Sequence, residues 1–355
     1  MSVYHPLKVV EVLPETDEAV TLKFDIPQDL SDHFKALPGQ HLKLKMQIAD
    51  EDVERFYSIC QMGDNYLRVG IKNVPEGVFS QHISSTVKEG DVLEVMAPQG
   101  DFRLPIDDTE EMQRAKQYLF VAAGSGVTPI LAMTTYLLEN TEHTQVDFIY
   151  INAKRQTVMF FEQLEALKNK YMDRLSIVHV LTREPRDLEI LSVRPEGARF
   201  EQLLSAFINT DTLDHTYLCG PLPIIEGFRE ALIDKGIDKK KIHLELFGTP
   251  TSQTVRRPVV HSDADKQIKI ISGGREQVIG LAEGQSVLDA AIDAGASVPF
   301  ACKGGVCATC KAKMVEGEAT MDVNYGLEDY EVDLGYVLTC QAHVQTETAI
   351  VDFDV

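Results

Sequence analysis

Apolar and polar residues alternate with a period of two through most of the first hundred positions. LKVVEVL, AVTLKFDI, HLKLKM and YLRVGIK each send side chains to two faces, and PGQ, EGD and PQG punctuate them. Short alternating runs bounded by turn residues predict an antiparallel β-barrel over residues 1–108. The rhythm then changes. YLFVAAG, VDFIYIN, LSIVHVL and HTYLCG are continuous apolar runs, and between them PILAMTTYLLEN, FFEQLEALKNKY and PIIEGFREALIDKG repeat apolar residues at helical spacing. That alternation predicts a parallel sheet with helices on both faces over residues 109–248.

TPTSQTVRRPVVHS, residues 249–262, carries two prolines and no periodic apolar face. It reads as a linker spanning on the order of 20 Å. Residues 263–355 form a last domain, with strands at QIKIIS, EQVIGL and AIVDFDV and a helix at SVLDAAIDAG. A multi-domain chain is also what 355 residues demand, since one core does not grow that large.

Composition narrows the function. The formal net charge is −21, and 16 acidic against 6 basic residues fall between Ser262 and Val355. Such a surface repels phosphate backbones, so nucleic acid is not an expected partner. The acidic excess is either a solubility surface or a docking face around the cysteine-rich loop. No run of about eighteen apolar residues is present, so no membrane span is expected. The start, MSVYHPLKVVEVL, lacks the basic-then-apolar block of a secretion signal, which makes the cytoplasm the expected location.

Four of the six cysteines crowd the last quarter, a poor disulfide framework and a good ligand set. Cys302, Cys307 and Cys310 follow C-x4-C-x2-C, and Cys340 comes thirty residues later. This is the plant-type spacing for a 2Fe-2S cluster. Gly304 and Gly305 allow the tight turn that aims amide N–H groups at sulfur, and Ala308 and Thr309 are small enough for the backbone to close over the cluster. A structural zinc site usually takes paired C-x2-C knuckles, and one such pair exists here.

A cluster of this type carries one electron at a time, so something upstream must split a pair, and a flavin does so. Arg55-Phe56-Tyr57-Ser58 offers a guanidinium for pyrophosphate, a ring to stack on an isoalloxazine and a hydroxyl for its reactive nitrogen. Gly77-Val78-Phe79-Ser80 reads as a helix start, with free N–H groups and the Ser80 hydroxyl for the diphosphate.

YLFVAAGSGVTP is a strand running into a glycine-rich turn: Gly124 and Gly126 let backbone approach a ligand, and Pro129 suits a first helical turn. Pro129 stands where G-x-G-x-x-G has its third glycine, so a Rossmann dehydrogenase is disfavoured. Cys219-Gly220-Pro221 ends a later strand, where open parallel sheets bind ligands. Cys219 also fits as a buried small apolar residue, as does Cys60. Thr182 and Arg183 end another strand and could grip a 2′-phosphate, with Lys154 and Arg155 adding charge; solvated surface is the competing reading. None of the ten histidines has ligand-like spacing, and none receives a role.

With these residues in place, the chain resembles the ferredoxin–NADP reductase superfamily, and within it the oxygenase reductases that carry a plant-type ferredoxin domain at the C-terminus. ACKGGVCATCKAKMVEGEATM, GYVLTCQA, AAGSGVTP, CGP, PGQHL and HLELF-x-TP occur in the expected order along essentially the whole chain. The resemblance implies an FAD-binding barrel, an α/β nicotinamide domain and a β-grasp ferredoxin domain. It implies that Arg55, Tyr57 and Ser58 contact FAD, with Gly77 and Ser80 on its diphosphate side. Gly124, Gly126, Thr128 and Pro129 would face the nicotinamide dinucleotide. Cys219 would lie near the nicotinamide and Phe247 near the flavin, although a plain core phenylalanine fits as well. Thr182-Arg183-Glu184 is similar to the stretch that receives the 2′-phosphate, which favours NADPH over NADH.

The implied activity is an oxidoreductase: hydride from NADPH to FAD, single electrons to the cluster, then delivery to a separate diiron oxygenase. A same-build reductase of another aromatic-ring or steroid hydroxylase has the same residues. A redox-sensing binding protein is the reading from another class, and three complete cofactor sites in series argue against it.

Overall fold

The computed structural model describes residues 3–49, 51–75, 77–106, 114, 116–247, 266–300, 303–305, 308–327 and 329–355. The chain divides into two compact units, Met1–Phe247 and Gly248–Val355.

The first unit begins with a closed six-stranded barrel. Its strands are β1 (Tyr4–Thr16), β2 (Ala19–Asp25), β3 (His41–Ile48), β4 (Glu51–Gly63), β5 (Tyr66–Lys72) and β6 (Val92–Met96), in the order β1-β2-β5-β4-β3-β6. The predicted alternation is the pleat itself: Leu22, Phe24, Leu42, Leu44, Val69 and Ile71 point inward and are fully buried. Helix α1 (Val78–Thr86) packs on this core through Phe79 and Ile83, one turn apart on one face.

Five parallel strands follow: β7 (Gln117–Ala123), β8 (Gln145–Asn152), β9 (Leu175–Leu181), β10 (His215–Gly220) and β11 (Ile242–Leu246). Their order is β11-β10-β7-β8-β9, connected through α2 (Val127–Asn140), α3 (Phe161–Lys170), α4 (Arg199–Phe207) and α5 (Leu222–Asp234). Strand order reverses between β7 and β10, which places a ligand crevice at their C-terminal ends. Besides its own interior core, the barrel side contributes to the core of the sheet. Ala19, Cys60, Phe102 and Leu104 pack in the same cluster as Phe120, Leu131, Met159, Tyr217 and Cys219.

The second unit is a β-grasp. A mixed sheet in the order β13-β12-β18-β14-β16 is formed by β12 (Lys266–Ser272), β13 (Arg275–Leu281), β14 (Lys311–Glu316), β16 (Tyr336–Leu338) and β18 (Thr348–Asp352). A small pair, β15 (Ala319–Met321) with β17 (Ala342–Val344), lies beside it. Helix α6 (Val287–Asp293) buries Val287, Leu288, Ala290 and Ala291, and Ser286 caps it by accepting from the Asp289 N–H at 3.1 Å. A short helix, α7 (Asp329–Asp333), leads into β16. Among the described residues no helix is long and apolar enough to cross a membrane.

Candidate functional site

Parallel register builds one wall of the crevice. On β10 and β11, Tyr217 pairs with His243, Cys219 with Glu245 and Gly220 with Leu246, while Cys219 pairs with Ala122 of β7 on its other side. Residues in register share a face. Across the crevice the barrel contributes β4 and β3, whose antiparallel register sets Ser58 beside His41.

Four polar groups converge there. Ser58 Oγ donates to Glu245 Oε2 at 3.2 Å, and Cys219 Sγ lies 3.8 Å from the same oxygen. His41 Nδ1 stands 3.8 Å from Glu245 Oε1. Ser58 and Cys219 are buried. Burial pushes the Cys219 thiol well above its ordinary range, and the Glu245 carboxylate adds to that. Cys219 is therefore a neutral thiol at physiological pH, unsuited to nucleophilic attack. It lines the crevice as a small, proton-bearing wall.

Phe247 continues β11, with its N–H donating to Gly220 O at 2.9 Å, and its half-buried ring packs on the shared core. Tyr57 is half-buried beside Phe79, ring centroids 5.8 Å apart, while Arg55 is exposed and donates to Glu54 O at 2.7 Å.

Gly77 is the N-cap of α1, and no side chain caps that helix. Its first-turn N–H groups are thus suited to an anion. The Ser80 hydroxyl is committed elsewhere: it donates to Gly77 O at 3.3 Å and accepts from Val74 N–H at 3.2 Å. It locks the turn that leads into α1.

The glycine-rich turn after β7 ends in α2, also without a side-chain cap. Gly124 has φ +57°, and a Cβ there would meet nothing within 4 Å, so the turn borders open space. Gly126 does the opposite. A Cβ there would sit 2.2 Å from Cys219 O, so the missing side chain lets α2 lie against the end of β10. Thr128 Oγ1 donates to Ser125 O at 2.9 Å, and Thr128 and Pro129 are buried in the first turn of α2. Thr182 and Arg183 follow β9, their N–H groups donating to Asn152 O and Ala153 O at 2.8 Å each. Lys154, Arg155 and Arg183 are exposed at the C-terminal ends of β8 and β9.

In the second unit, Cys310 and Cys340 come together: their thiols hydrogen-bond, and Gly305 N–H donates to the Cys340 sulfur. Thr339 clamps Cys310, its N–H and Oγ1 both reaching Cys310 O, at 3.2 and 2.9 Å. Cys302 and Cys307 lie outside the described residues. Gly305 has φ +78°, as expected of the loop, but among the described residues of the loop the other left-handed positions are Lys303 and Ala308, each at φ +51°. A non-glycine residue there costs roughly 1–2 kcal/mol. Two thiols from distant segments, with a backbone donor aimed at one sulfur, are half of the four-cysteine donor set that a 2Fe-2S cluster takes.

Sequence reasoning missed His41 and Glu245. Both stood inside noted motifs, PGQHL and HLELF, and Glu245 lies two positions before Phe247 on the same strand face. The period-two rule applied to that strand was the signal available.

These features define an FAD- and NAD-binding oxidoreductase with a 2Fe-2S domain, and comparison with known proteins agrees. Residues 6–104 match the oxidoreductase FAD-binding domain, 120–230 the oxidoreductase NAD-binding domain and 270–345 the 2Fe-2S iron-sulfur cluster binding domain. One component of the 1,2-phenylacetyl-CoA epoxidase of Escherichia coli K12 is 40% identical over 359 residues, covering 100% of this chain and 99% of that protein. The ferredoxin reductase component of 3-ketosteroid-9-alpha-monooxygenase from Mycolicibacterium smegmatis is 31% identical over 98% of this chain and 96% of its own. Phthalate dioxygenase reductase shares the fold, with a TM-score of 0.60 and 21% identity over 98% of each chain. The chain belongs to the ferredoxin–NADP reductase superfamily, in its group of oxygenase reductases with a C-terminal 2Fe-2S domain.

Proposed function

We propose that this chain is the NADPH-dependent reductase component of a phenylacetyl-CoA 1,2-epoxidase, passing electrons to a diiron oxygenase partner in phenylacetate catabolism. The observation that carries the reading is full-length identity of 40% to a component of that epoxidase. Residues 1–108 serve FAD, 109–248 the nicotinamide coenzyme and 263–355 the cluster. When bound, the flavin supplies exchange between a hydride and single electrons, and the 2Fe-2S group carries them singly.

The chain's own residues bind, orient and hold protons. Arg55 and the first turn of α1 would hold the FAD diphosphate, and Tyr57 the ring system. Ser58, held by Glu245, presents a hydroxyl at the crevice wall, and His41 stands behind that carboxylate. The first turn of α2 would take the coenzyme pyrophosphate. Exposed Arg183, Lys154 and Arg155 favour a coenzyme carrying a 2′-phosphate. Cys302, Cys307, Cys310 and Cys340 would ligate the cluster.

The test is reconstitution with purified oxygenase components. NADPH should reduce the flavin faster than NADH, and phenylacetyl-CoA should be epoxidised with this chain as sole reductase. Turnover with a steroid monooxygenase and none with the epoxidase would reassign the partner.

A further inference from the structure

We infer that Gln341 is a positioning residue that tunes the cluster through the sulfur of Cys340. The side-chain Nε2 donates to Lys303 O at 2.9 Å and to Cys340 O at 3.1 Å, and lies 3.7 Å from Cys340 Sγ. Two carbonyl acceptors fix which end of the amide carries nitrogen, because an oxygen there would face two oxygens. An NH2 group has two hydrogens for these three acceptors. One serves Lys303, and the other is shared between the carbonyl and the sulfur of Cys340.

The side chain cannot easily leave. Gln341 N–H donates to Leu338 O at 2.8 Å and its carbonyl accepts from Asp322 N–H at 3.1 Å, which pins the backbone on both sides. The Gly305 α-carbon lies so close that a Cβ there would sit 3.1 Å from Gln341 Cγ. Gln341 thereby ties the left-handed turn at Lys303 to the turn bearing the fourth cysteine, between β16 and β17, and places a donor on that cysteine's sulfur.

A thiol is a weak acceptor, whereas a thiolate in a cluster is a strong one, and more so after the cluster gains an electron. A donor aimed at it stabilises the reduced state over the oxidised one, which raises the potential. This rests on the reading that Cys310 and Cys340 hold the cluster.

The test is the cluster midpoint potential of the full-length holoprotein, in wild type and in Gln341→Leu and Gln341→Glu. Q341L should lower the reduced-to-oxidised ratio at a fixed poise about tenfold, or about 59 mV for a one-electron couple. Q341E should lower it further, by placing a carboxylate where a donor stood. NADPH reduction of the flavin should not change. Iron-loaded Q341L with an unshifted potential overturns the assignment, whereas a wild type that takes up no iron overturns the cluster reading beneath it. If Q341L does not retain iron, pulsed EPR on reduced wild type carrying side-chain 15N-glutamine decides. A 15N coupling to the cluster supports the contact, and its absence overturns it.

Discussion

Gly126→Ala isolates how closely the glycine-rich turn, proposed to bind the coenzyme, must sit against the end of β10. The added Cβ would fall 2.2 Å from Cys219 O, 2.6 Å from Cys219 C and 3.0 Å from Gly220 N, where ordinary contact starts near 3.4 Å. The obstacle is strand backbone, held in register by β7 and β11, so it cannot swing aside. Helix α2 must instead withdraw by about 1 Å, with an overpacking cost of about 1–3 kcal/mol. A displacement of that size at a hydride-transfer site costs about a hundredfold in rate. Gly124→Ala is the control. Its Cβ meets nothing, so only the left-handed backbone at φ +57° is strained, by roughly 1–2 kcal/mol. Rapid-mixing measurement of flavin reduction by NADPH, with thermal melting alongside, reads both effects. The expected order is wild type, then G124A modestly slower, then G126A slowest by far. A G126A protein that reduces its flavin at the wild-type rate refutes the close-approach argument.

Other outcomes are equally specific. Cys310→Ser should leave flavin reduction by NADPH intact and abolish electron delivery to the oxygenase; survival of both steps would break the proposed order. Glu245→Gln should slow flavin reduction about tenfold to a hundredfold by loosening the Ser58 hydroxyl, and should bring Cys219 closer to ordinary thiol reactivity toward alkylating agents. An unchanged rate would remove Glu245 from the site. His243 is stacked on Tyr217 at 4.4 Å, and burial, with His215 nearby, lowers its pKa from 6.5 to about 4. Its folded pKa is depressed, so the unfolded chain binds the proton first as pH falls. The associated stability is complete above about pH 6.5 and is lost toward pH 4, amounting to roughly 2 kcal/mol between pH 6.5 and pH 5. Denaturant titrations of His243→Phe should show a flatter pH dependence than wild type over that interval; identical slopes would refute it.

The legible parts of this molecule are those written in local periodicity or in fixed spacing. Barrel strands, parallel strands and the helices at 127–140, 161–170 and 222–234 follow from patterns in neighbouring residues. Helix α4 (Arg199–Phe207) is absent from that reading, although Phe200, Leu203 and Leu204 bury one face of it. Ser80 reads as a phosphate ligand because its type suits one, and only the turn around Val74 and Gly77 reveals that its hydroxyl is taken. Lys303 and Ala308 adopt left-handed backbone beside glycines that invite the assignment to themselves. Glu245 and His41 are polar residues on strands, which local pattern places at a surface. His41 is buried and Glu245 partly so because barrel docks against sheet, and no short stretch of sequence encodes that.

That docking explains why the site can be built from two folds at all. Ser58 and His41 belong to the barrel and Glu245 to the sheet, and their contacts with its carboxylate at 3.2 and 3.8 Å tolerate little relative movement. A hinge between two separate cores would not hold such a tolerance. Here the apolar cluster is continuous across the boundary, and Gly70 of β5 lies so near Thr128, Phe160 and Met159 that a Cβ would come within 2.9 to 3.2 Å of them. Glu15 of β1 adds a polar fastening, accepting from the Phe160 N–H at 2.6 Å at the start of α3. Burial raises the Glu15 pKa, and that hydrogen bond opposes the rise, as expected of a carboxylate kept at an interface by one directed contact. Close packing fixes the two halves as one body, and the crevice between them inherits its precision from that body.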